Sequence, residues 1–347
     1  MATAENSSKS RGCFKFGCIG CLGVIALLVG LPVLLALIGF FVGTPDPEFE
    51  QVDVTQPLPA GEVIEGNLED PSTEVPLAPP GTAVPTEDLA GENRQVLDLG
   101  TEAVPPAGTI RLDLGLGEFT VQPAPPGEGV RIEGDYDRAS FDLEESFTEQ
   151  PDGTWEYAIE LHQRVSWLRR FWSSQDVRNE LTVYLPRHHP IALVGKMSTG
   201  KSELELGGLW LTEVELQLAT GDHTLRFSEP TEKPLERLQL EGKFGEIDLV
   251  GIGNASPAWA RLEGQFGEYR VDLGGAWRDD GEVDLQFQFG ECRVRLPEGV
   301  RIEVERTSMA FGERRLELPE GQDALPDSAP TLSLRLEGSF GEMRVSP

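Results

Sequence analysis

The sequence predicts an all-β protein: a right-handed parallel β-helix or closely related β-solenoid domain with a capping sheet, preceded by one transmembrane helix. A β-strand motif that recurs about every 22 residues predicts the solenoid. One long apolar run near the N-terminus predicts the membrane helix. High glycine and proline contents, 39 and 26 residues, agree with many short strands and turns rather than with helices.

The recurring motif is clearest in five segments that share a Phe-Gly pair. They read LEGKFGEIDL, LEGQFGEYRV, LQFQFGECRV, RTSMAFGERRLEL and LEGSFGEMRV. A near-constant period in the twenties is typical of solenoids, in which each repeat stacks on its neighbours. The glycines of these segments and of two weaker relatives are spaced by 21, 24, 22, 23, 22 and 29 residues, at Gly200, Gly221, Gly245, Gly267, Gly290, Gly312 and Gly341.

Within a repeat the apolar residues alternate as in a β-strand, but the alternation slips by one residue at the glycine. Leu240, Gly242 and Phe244 share one face, whereas Ile247 and Leu249 share the next. Such a slip requires a corner or a bulge, which glycine permits. We therefore predict rungs of two or three short strands with their corners. Aromatic rings are predicted to stack inside the solenoid at Phe244, Phe266, Phe289, Phe311 and Phe340.

The predicted solenoid domain covers residues 96–347 and has two parts. Residues 196–347 hold the regular repeats, whereas residues 112–195 form an irregular first part. Strand-like segments in the first part, VRIEGDYD, WEYAIELHQ and ELTVYLP, predict a sheet that caps the stack. Solenoid ends need such caps because a bare strand edge invites edge-to-edge association.

Residues 16–44 contain no charged residue and are predicted to form one uncleaved transmembrane helix. The apolar run is longer than the roughly 7–15-residue core of a cleaved signal peptide. Lys9, Arg11 and Lys15 precede the run and acidic residues follow it, so the positive-inside rule predicts that residues 1–15 are cytoplasmic. The rest of the chain is then expected on the outer side of a bacterial cell membrane.

The segments on either side of the predicted span carry weaker signals. Cys13, Cys18 and Cys21 lie at its cytoplasmic end, where a lipidated cysteine is not expected and a fourth zinc ligand is lacking. We expect these to be reduced thiols. Residues 45–95 are rich in proline and acidic residues and show no sustained period, which predicts an extended extracytoplasmic linker.

The formal net charge of −30 narrows the classes of partner. It argues against nucleic acid, because a polyanion is repelled and releases no counterions on contact. It leaves cation binding open. The predicted partners are therefore the membrane, through one span, and either another envelope protein or a second copy of the chain.

One basic-aromatic cluster stands out within this acidic chain. It is a candidate contact with a partner or with lipid headgroups, because aromatic and arginine side chains dominate such contacts. The alternative is a capping loop that packs its aromatic residues over the end of the stack. The candidate residues are Trp167, Arg169, Arg170, Phe171 and Trp172.

A second candidate site is a row of carboxylates just after the corner glycines. Successive strands lie about 4.8 Å apart, so stacked carboxylates would offer oxygen ligands to a divalent cation. The alternative is a solvated corner, or carboxylates that accept hydrogen bonds from corner amides. The row consists of Glu246, Glu268, Glu291, Glu313 and Glu342.

Other motifs predict no catalytic or cofactor site. GKMSTGKS, residues 195–202, matches the phosphate-loop string, but strand-like alternation follows it where a helix would be required. His188 and His189 lie in a proline-flanked turn without a third metal ligand. No nucleophile, base and acid can be combined from the rest. Apart from the carboxylate row, we predict no metal, nucleotide or cofactor site, and we predict that the protein is not an enzyme. An enzyme acting on surface glycans is the third alternative.

The motifs LDLGLGEFTV, ELELGGLWLTEVELQLATGDHTL and LEGKFGEIDL resemble the β-repeats of toastrack, or adhesin-type, domains. These are similar to the C-terminal region of LiaF-type proteins of the cell-envelope stress response. The resemblance implies a membrane-anchored binding or scaffolding domain, acting in envelope-stress sensing. This chain departs from the LiaF-type pattern by having one predicted span. The alternative function is an adhesin or a self-assembling structural solenoid.

Overall fold

A computed structural model of the chain describes residues 48–58, 108–164 and 179–347. The predicted cytoplasmic segment, the predicted transmembrane helix and most of the predicted linker lie outside the described residues. So do the three N-terminal cysteines and the cluster from Trp167 to Trp172. Within the described ranges, no helix is long and apolar enough to cross a membrane.

The described residues form thirteen β-strands and two 3₁₀ helices, and no α-helix occurs among them, which confirms the all-β class. The 3₁₀ helices are Ile252–Asn254 and Gln322–Ala324. The strands are β1 Phe49–Gln56, β2 Gly108–Pro123, β3 Val130–Asp137, β4 Phe141–Glu149, β5 Trp155–Gln163, β6 Glu180–Leu185, β7 Ile191–Glu205, β8 Leu211–Arg226, β9 Arg237–Val250, β10 Trp259–Asp272, β11 Gly281–Arg295, β12 Arg301–Leu316 and β13 Thr331–Ser346.

All thirteen strands belong to one open, mixed sheet. Its main run is β1-β3-β6-β2-β7-β8-β9-β10-β11-β13-β12, and β5 and β4 branch from β2. In the run β2-β7-β8-β9-β10-β11-β13-β12 all neighbouring strands are parallel. Residues at equivalent positions of the repeat motif lie opposite each other on neighbouring strands. Gly267, for example, is opposite Gly245 on one side and Gly290 on the other. The predicted parallel stack of repeats is thus confirmed.

Each repeat supplies one long strand, and the prediction of two or three short strands per rung is wrong. The strands from β7 to β13 contain 14 to 16 residues each. The corner glycine bends the strand but does not end it, because pairing with the neighbouring strands continues on both sides of the bend. The alternation slips at the bend, as the sequence predicts: Leu240 and Ile247 are both buried.

A column of corner glycines makes the bend possible. Seven of them have φ between 126° and 145°, a region that residues with a side chain rarely adopt. A Cβ atom on Gly267 would overlap the carbonyl oxygen of Gly245, and the same conflict recurs along the column. Glycine is therefore required at each corner for two reasons: the positive φ angle and the close approach of the next strand. The seven are Gly200, Gly221, Gly245, Gly267, Gly290, Gly341 and Gly312.

The two halves of each bent strand face each other across one core. A Cβ atom on Gly242 would overlap the Ile247 side chain, and one on Gly264 would overlap the Tyr269 ring. In β11 the sizes are exchanged, because a buried Phe287 takes the glycine position and a buried Cys292 takes the opposite one. Burial raises the pKa of the Cys292 thiol to about 12, so this cysteine is a packing residue with little thiolate at neutral pH.

At the first end of the stack, β2 pairs with two separate sets of strands. Residues 108–114 pair with β5, which pairs with β4, whereas residues 118–123 pair with β6, which pairs with β3. The predicted capping sheet is thus present in two branches. β1 extends the second branch by pairing with β3, so Phe49–Gln56, within the segment predicted to be a linker, form a strand of the sheet. The short alternation in FEQVDVTQ suffices because β3 provides a ready edge.

At the other end, the last two strands are exchanged relative to the sequence. β13 lies between β11 and β12, so the expectation that each repeat stacks on its sequence neighbours is wrong for β12. β12 carries charged residues on both faces and is mostly exposed, whereas Leu332, Leu334 and Leu336 of β13 are fully buried. The apolar strand takes the interior position, and the polar strand forms an edge that resists further pairing.

Replacing a corner glycine is expected to destabilise the fold strongly. Gly267→Ala should lower the free energy of unfolding by about 3–5 kcal/mol, because it adds both backbone strain and a steric overlap. Gly153→Ala is the matched control, since Gly153 has φ 83° but nothing within 4 Å of an added Cβ. It should cost only about 1–2 kcal/mol. Urea unfolding of the full-length chain measures both, and equal losses would contradict the role of the column.

Candidate functional site: an exposed phenylalanine ladder

Five phenylalanine rings stack along the outside of the bend, and we call them the phenylalanine ladder. The ring centroids are 5.1, 4.8, 4.8 and 4.9 Å apart, and neighbouring ring planes lie within 10° of each other. The ladder starts at β9, because the same column holds leucine and threonine in β2, β7 and β8. In spatial order it consists of Phe244, Phe266, Phe289, Phe340 and Phe311.

The ladder faces solvent, so the prediction that these rings stack inside the solenoid is wrong. The side chains are between 39% and 65% exposed, Phe311 at the edge being the most exposed. The inner side of the bend is already filled, because Gly242 is in contact with Ile247 and Gly264 with Tyr269. Alternation assigns the next-but-one residue to the same buried face, but in β9 and β10 that residue is an exposed phenylalanine directly before the corner glycine. This phenylalanine therefore lies on the outer side of the corner.

The exposed area of the ladder is large for a single apolar stripe. A phenylalanine side chain offers about 150–250 Å², so these exposures leave on the order of 500 Å² of aromatic surface. The largest apolar patch of a typical monomer measures roughly 300–600 Å² and often serves a function. The ladder is at the upper end of this range and is continuous, which marks it as a candidate contact surface.

One flank of the ladder is formed by the predicted carboxylate row, and arginines lie among the carboxylates. Arg270 contacts Glu268 at 3.0 Å and Asp248 at 3.0 Å, and it also contacts Glu246. Arg293 lies 2.8 Å from both Glu268 and Glu291. The remaining pairs are Arg344 with Glu342 at 2.6 Å and Arg315 with Glu313 at 3.5 Å.

These ion pairs neutralise part of the negative charge of the carboxylate row. The Arg344 guanidinium, by its hydrogen bond, holds the pKa of the Glu342 carboxyl below its usual range. Within the described residues, no three His, Cys, Asp or Glu side chains converge as metal ligands. Cation binding by the row stays a prediction. The arginines were missed in the sequence, although the recurring pattern Gly-Glu-x-Arg shows them two residues after four of the five glutamates; Glu246 is followed by Asp248 instead.

The other flank of the ladder is a polar groove, which we call the amide groove. Its volume is about 450 Å³, and residues from β9, β10, β11, β13 and β12 line it. The residue directly before each ring belongs to this wall in four of five strands. Phe287, Met309 and Ala310 contribute apolar surface, and the polar side chains that line the groove are Glu241, Glu263, Gln265, Gln286, Gln288, Ser308, Glu337 and Ser339.

The phosphate-loop string lies in β7, and Gly200 is one of its corner glycines, with φ 126°. The strand β8 follows, as the alternation predicts. The string also hides a hydroxyl–imidazole pair that the sequence analysis missed: Ser202 Oγ lies 2.7 Å from His223 Nδ1 of β8. Their spacing of 21 residues, one repeat apart, was the available signal.

The buried surroundings of the Ser202–His223 pair indicate a structural role. The two residues are 1% and 3% exposed, so a substrate does not reach the hydroxyl. His223 Nε2 is buried and has no hydrogen-bond partner among the described residues. Burial lowers the pKa of His223 below its usual value, partly offset by Asp222. The imidazole is therefore neutral at pH 7 and packs within the core.

Two features of single segments remain: the basic-aromatic candidate cluster, and the His188–His189 pair, which was not predicted to form a site. The cluster Trp167, Arg169, Arg170, Phe171 and Trp172 lies outside the described residues, so its role stays a prediction. His188 and His189 line a separate cavity of about 410 Å³ with Arg187 and Glu128. His188 Nδ1 lies 3.3 Å from Glu232 Oε2.

Residues 98–248 match the family model of the N-terminal domain of toast_rack, DUF2154. Over these residues the chain is similar to toast-rack domains, which confirms the resemblance noted in the sequence. The match ends within β9, four residues after the first ring of the ladder, Phe244. The other four rings of the ladder lie beyond it. No curated protein matches the chain.

Solved structures that match part of the chain include proteins described as a "putative cell adhesion protein" and a "putative adhesin". The first, from Clostridium sporogenes, is 13% identical with a TM-score of 0.33, over 69% of this chain and 92% of that one. The second, from Bacteroides fragilis, is 12% identical with a TM-score of 0.30, over 68% and 92%. A third, from Parabacteroides distasonis, is 10% identical with a TM-score of 0.22, over 86% and 98%. At these scores the likeness carries no argument about function.

The buried His223 predicts that the stability of the fold depends on pH. Its pKa is lower in the folded chain than in the unfolded chain, so on acidification the unfolded chain takes up the proton first. Stability should therefore fall as the pH drops below about 6.5, by up to about 1.4 kcal/mol per pH unit. His223→Gln should remove this part of the slope while leaving the contribution of His189, whose pKa burial also lowers. The free energy of unfolding of both proteins, measured at pH 7.5 and 5.5, tests this prediction. Identical pH slopes for the wild-type chain and the variant would contradict the assignment to His223.

Proposed function

We propose that the chain is a membrane-anchored extracytoplasmic binding domain whose contact surface is the phenylalanine ladder. The continuous, exposed ladder is the observation that carries the proposal. The membrane anchor and the orientation rest on the sequence, through residues 16–44 and the basic residues before them. The resemblance to LiaF-type proteins supports a role of this domain in sensing cell-envelope stress.

The exposure of the ladder is what distinguishes a binding role from a purely structural one. Stacked aromatic pairs contribute about 0.5–1.5 kcal/mol each beyond burial, so the ladder also stabilises the corner. Stability alone does not require the rings to face water, because inward packing would bury more apolar area. The outer ring edges remain open along four stacked pairs, and a partner that covers them removes this apolar surface from water.

The alternative of a self-assembling solenoid is less well supported by the same surface. The ladder offers on the order of 500 Å² per copy, whereas a standard interface buries about 800 Å² on each partner. A chain with a net charge of −30 also repels its own copies. The polar edge strand β12 further disfavours end-to-end stacking. A different molecule of the envelope is the better occupant of the ladder.

A photo-crosslinking experiment in intact cells tests the proposal. Phe289 is replaced by benzoylphenylalanine in the full-length chain, and Phe49 by the same residue as a matched control. Both phenylalanines are exposed, at 39% and 52%, but only Phe289 belongs to the ladder. We expect crosslinked adducts from position 289 and few from position 49, because the ladder alone forms a continuous surface.

The adducts also separate the two functions. An adduct with another envelope component, formed at position 289 and absent at position 49, supports the binding domain. An adduct with twice the mass of the chain would overturn the proposal in favour of self-assembly. Equal yields at both positions, or none at 289, would contradict the ladder as contact surface.

A further inference from the structure

We propose that the amide groove beside the ladder binds a linear, uncharged glycan. This rests on the proposed binding function and names the class of ligand that the same surface takes. The groove is lined by five successive strands, β9, β10, β11, β13 and β12. A ligand in it therefore lies along the stack, across the strands and parallel to the ladder.

The groove presents hydrogen-bonding groups that are free for a ligand. Within the described residues, the side-chain amides of Gln265 and Gln288 have no hydrogen-bond partner, and each is adjacent to a ladder ring. An amide offers both donors and acceptors, as does a sugar hydroxyl, which needs both from its site. Neighbouring carboxylates are held in place: Glu263 lies 2.5 Å from Arg261, and Glu337 lies 3.0 Å from Arg306.

The charge of the groove excludes acidic ligands. Its walls contain the carboxylates of Glu241, Glu263 and Glu337, and no lysine or arginine is among the residues that line it. Arg261 and Arg306 already pair with Glu263 and Glu337, so a phosphate, a uronate or a sulfated sugar would meet the Glu241 carboxylate and no unpaired cation among the lining residues. Carboxylates accept hydrogen bonds from neutral hydroxyls, so an uncharged polyol is favoured instead.

The periodicity of the site favours a glycan over a peptide. Polar groups recur at one position on three successive strands: Gln265 of β10, Gln288 of β11 and the Ser339 hydroxyl of β13. The neighbouring rings of Phe266 and Phe289 repeat at the same spacing, with centroids 4.8 Å apart. A ligand that repeats one unit along its length can satisfy each level alike, whereas the side chains of a peptide vary. The ring edges of the ladder then cover the apolar C–H groups of the sugar, while the amides bind its hydroxyls.

Titration of defined oligosaccharides into the full-length chain tests this inference. The probes are the hexasaccharides of N-acetylglucosamine and of glucose, with a galacturonate hexasaccharide as the acidic control. The detergent must carry no sugar headgroup, since this would compete. We expect calorimetric binding of at least one uncharged hexasaccharide and weaker or undetectable binding of the acidic one.

Two variants locate the site. Gln265→Ala combined with Gln288→Ala should weaken binding of the uncharged hexasaccharide at least tenfold, because two hydrogen-bonding levels are lost. Gln239→Ala is the matched control: it lies on the same half of the neighbouring strand β9 but does not line the groove. It should leave the affinity unchanged. Both variants are exposed-side changes, and an unchanged unfolding midpoint confirms that they fold.

Each other outcome overturns the inference. These outcomes are no binding of an uncharged glycan, equal loss in both variants, tighter binding of the galacturonate, or binding of an extended Ser/Thr-rich peptide in place of any glycan. The crosslinking at position 289 separates this failure from that of the proposed function. Adducts at position 289 without glycan binding contradict the glycan alone, whereas loss of both contradicts the binding domain itself.

Discussion

The close approach of the corner glycines is the constraint on which the rest of the structure depends. Each glycine adopts a φ that other residues avoid, and each leaves room for the carbonyl oxygen of the glycine on the next strand. A one-residue shift between neighbouring strands would place a side chain in that space. The column therefore fixes the register, and it bends all strands at the same level. Both halves of the sheet then close over one apolar core.

A fixed register converts a sequence repeat into rows of like residues on the surface. The phenylalanine before each glycine becomes the ladder, the glutamate after it becomes the carboxylate row, and the arginine two residues later neutralises that row. In the core, the same register allows a large and a small side chain to change places across the bend. β10 has Gly264 opposite Tyr269, whereas β11 has Phe287 opposite Cys292. One backbone constraint thus produces the core, the ion-pair row and the candidate contact surface together.

Local pattern was enough to predict the all-β class, the repeat, the glycine corner and the cap, but not that each repeat forms one long bent strand. It was not enough to place Phe244 and its equivalents, because alternation assigns them to the inner face until the direction of the bend is known. The inner face is full only because Gly242 and Ile247 meet across the bend. The exchange of β12 and β13 depends on comparing the polarity of two whole strands, and β1 depends on an edge that another segment supplies.

Disulfide formation between introduced cysteines tests the in-register stack and its strand order most directly. In a chain whose native cysteines are changed to serine, Phe289→Cys with Phe340→Cys places thiols on neighbouring strands, and parallel neighbours lie about 4.8 Å apart, within reach of a disulfide. Phe289→Cys with Phe311→Cys places them two strands apart, beyond the roughly 7 Å limit. The structure predicts rapid oxidation of the first pair and none of the second. Oxidation of the second pair in preference to the first would contradict it.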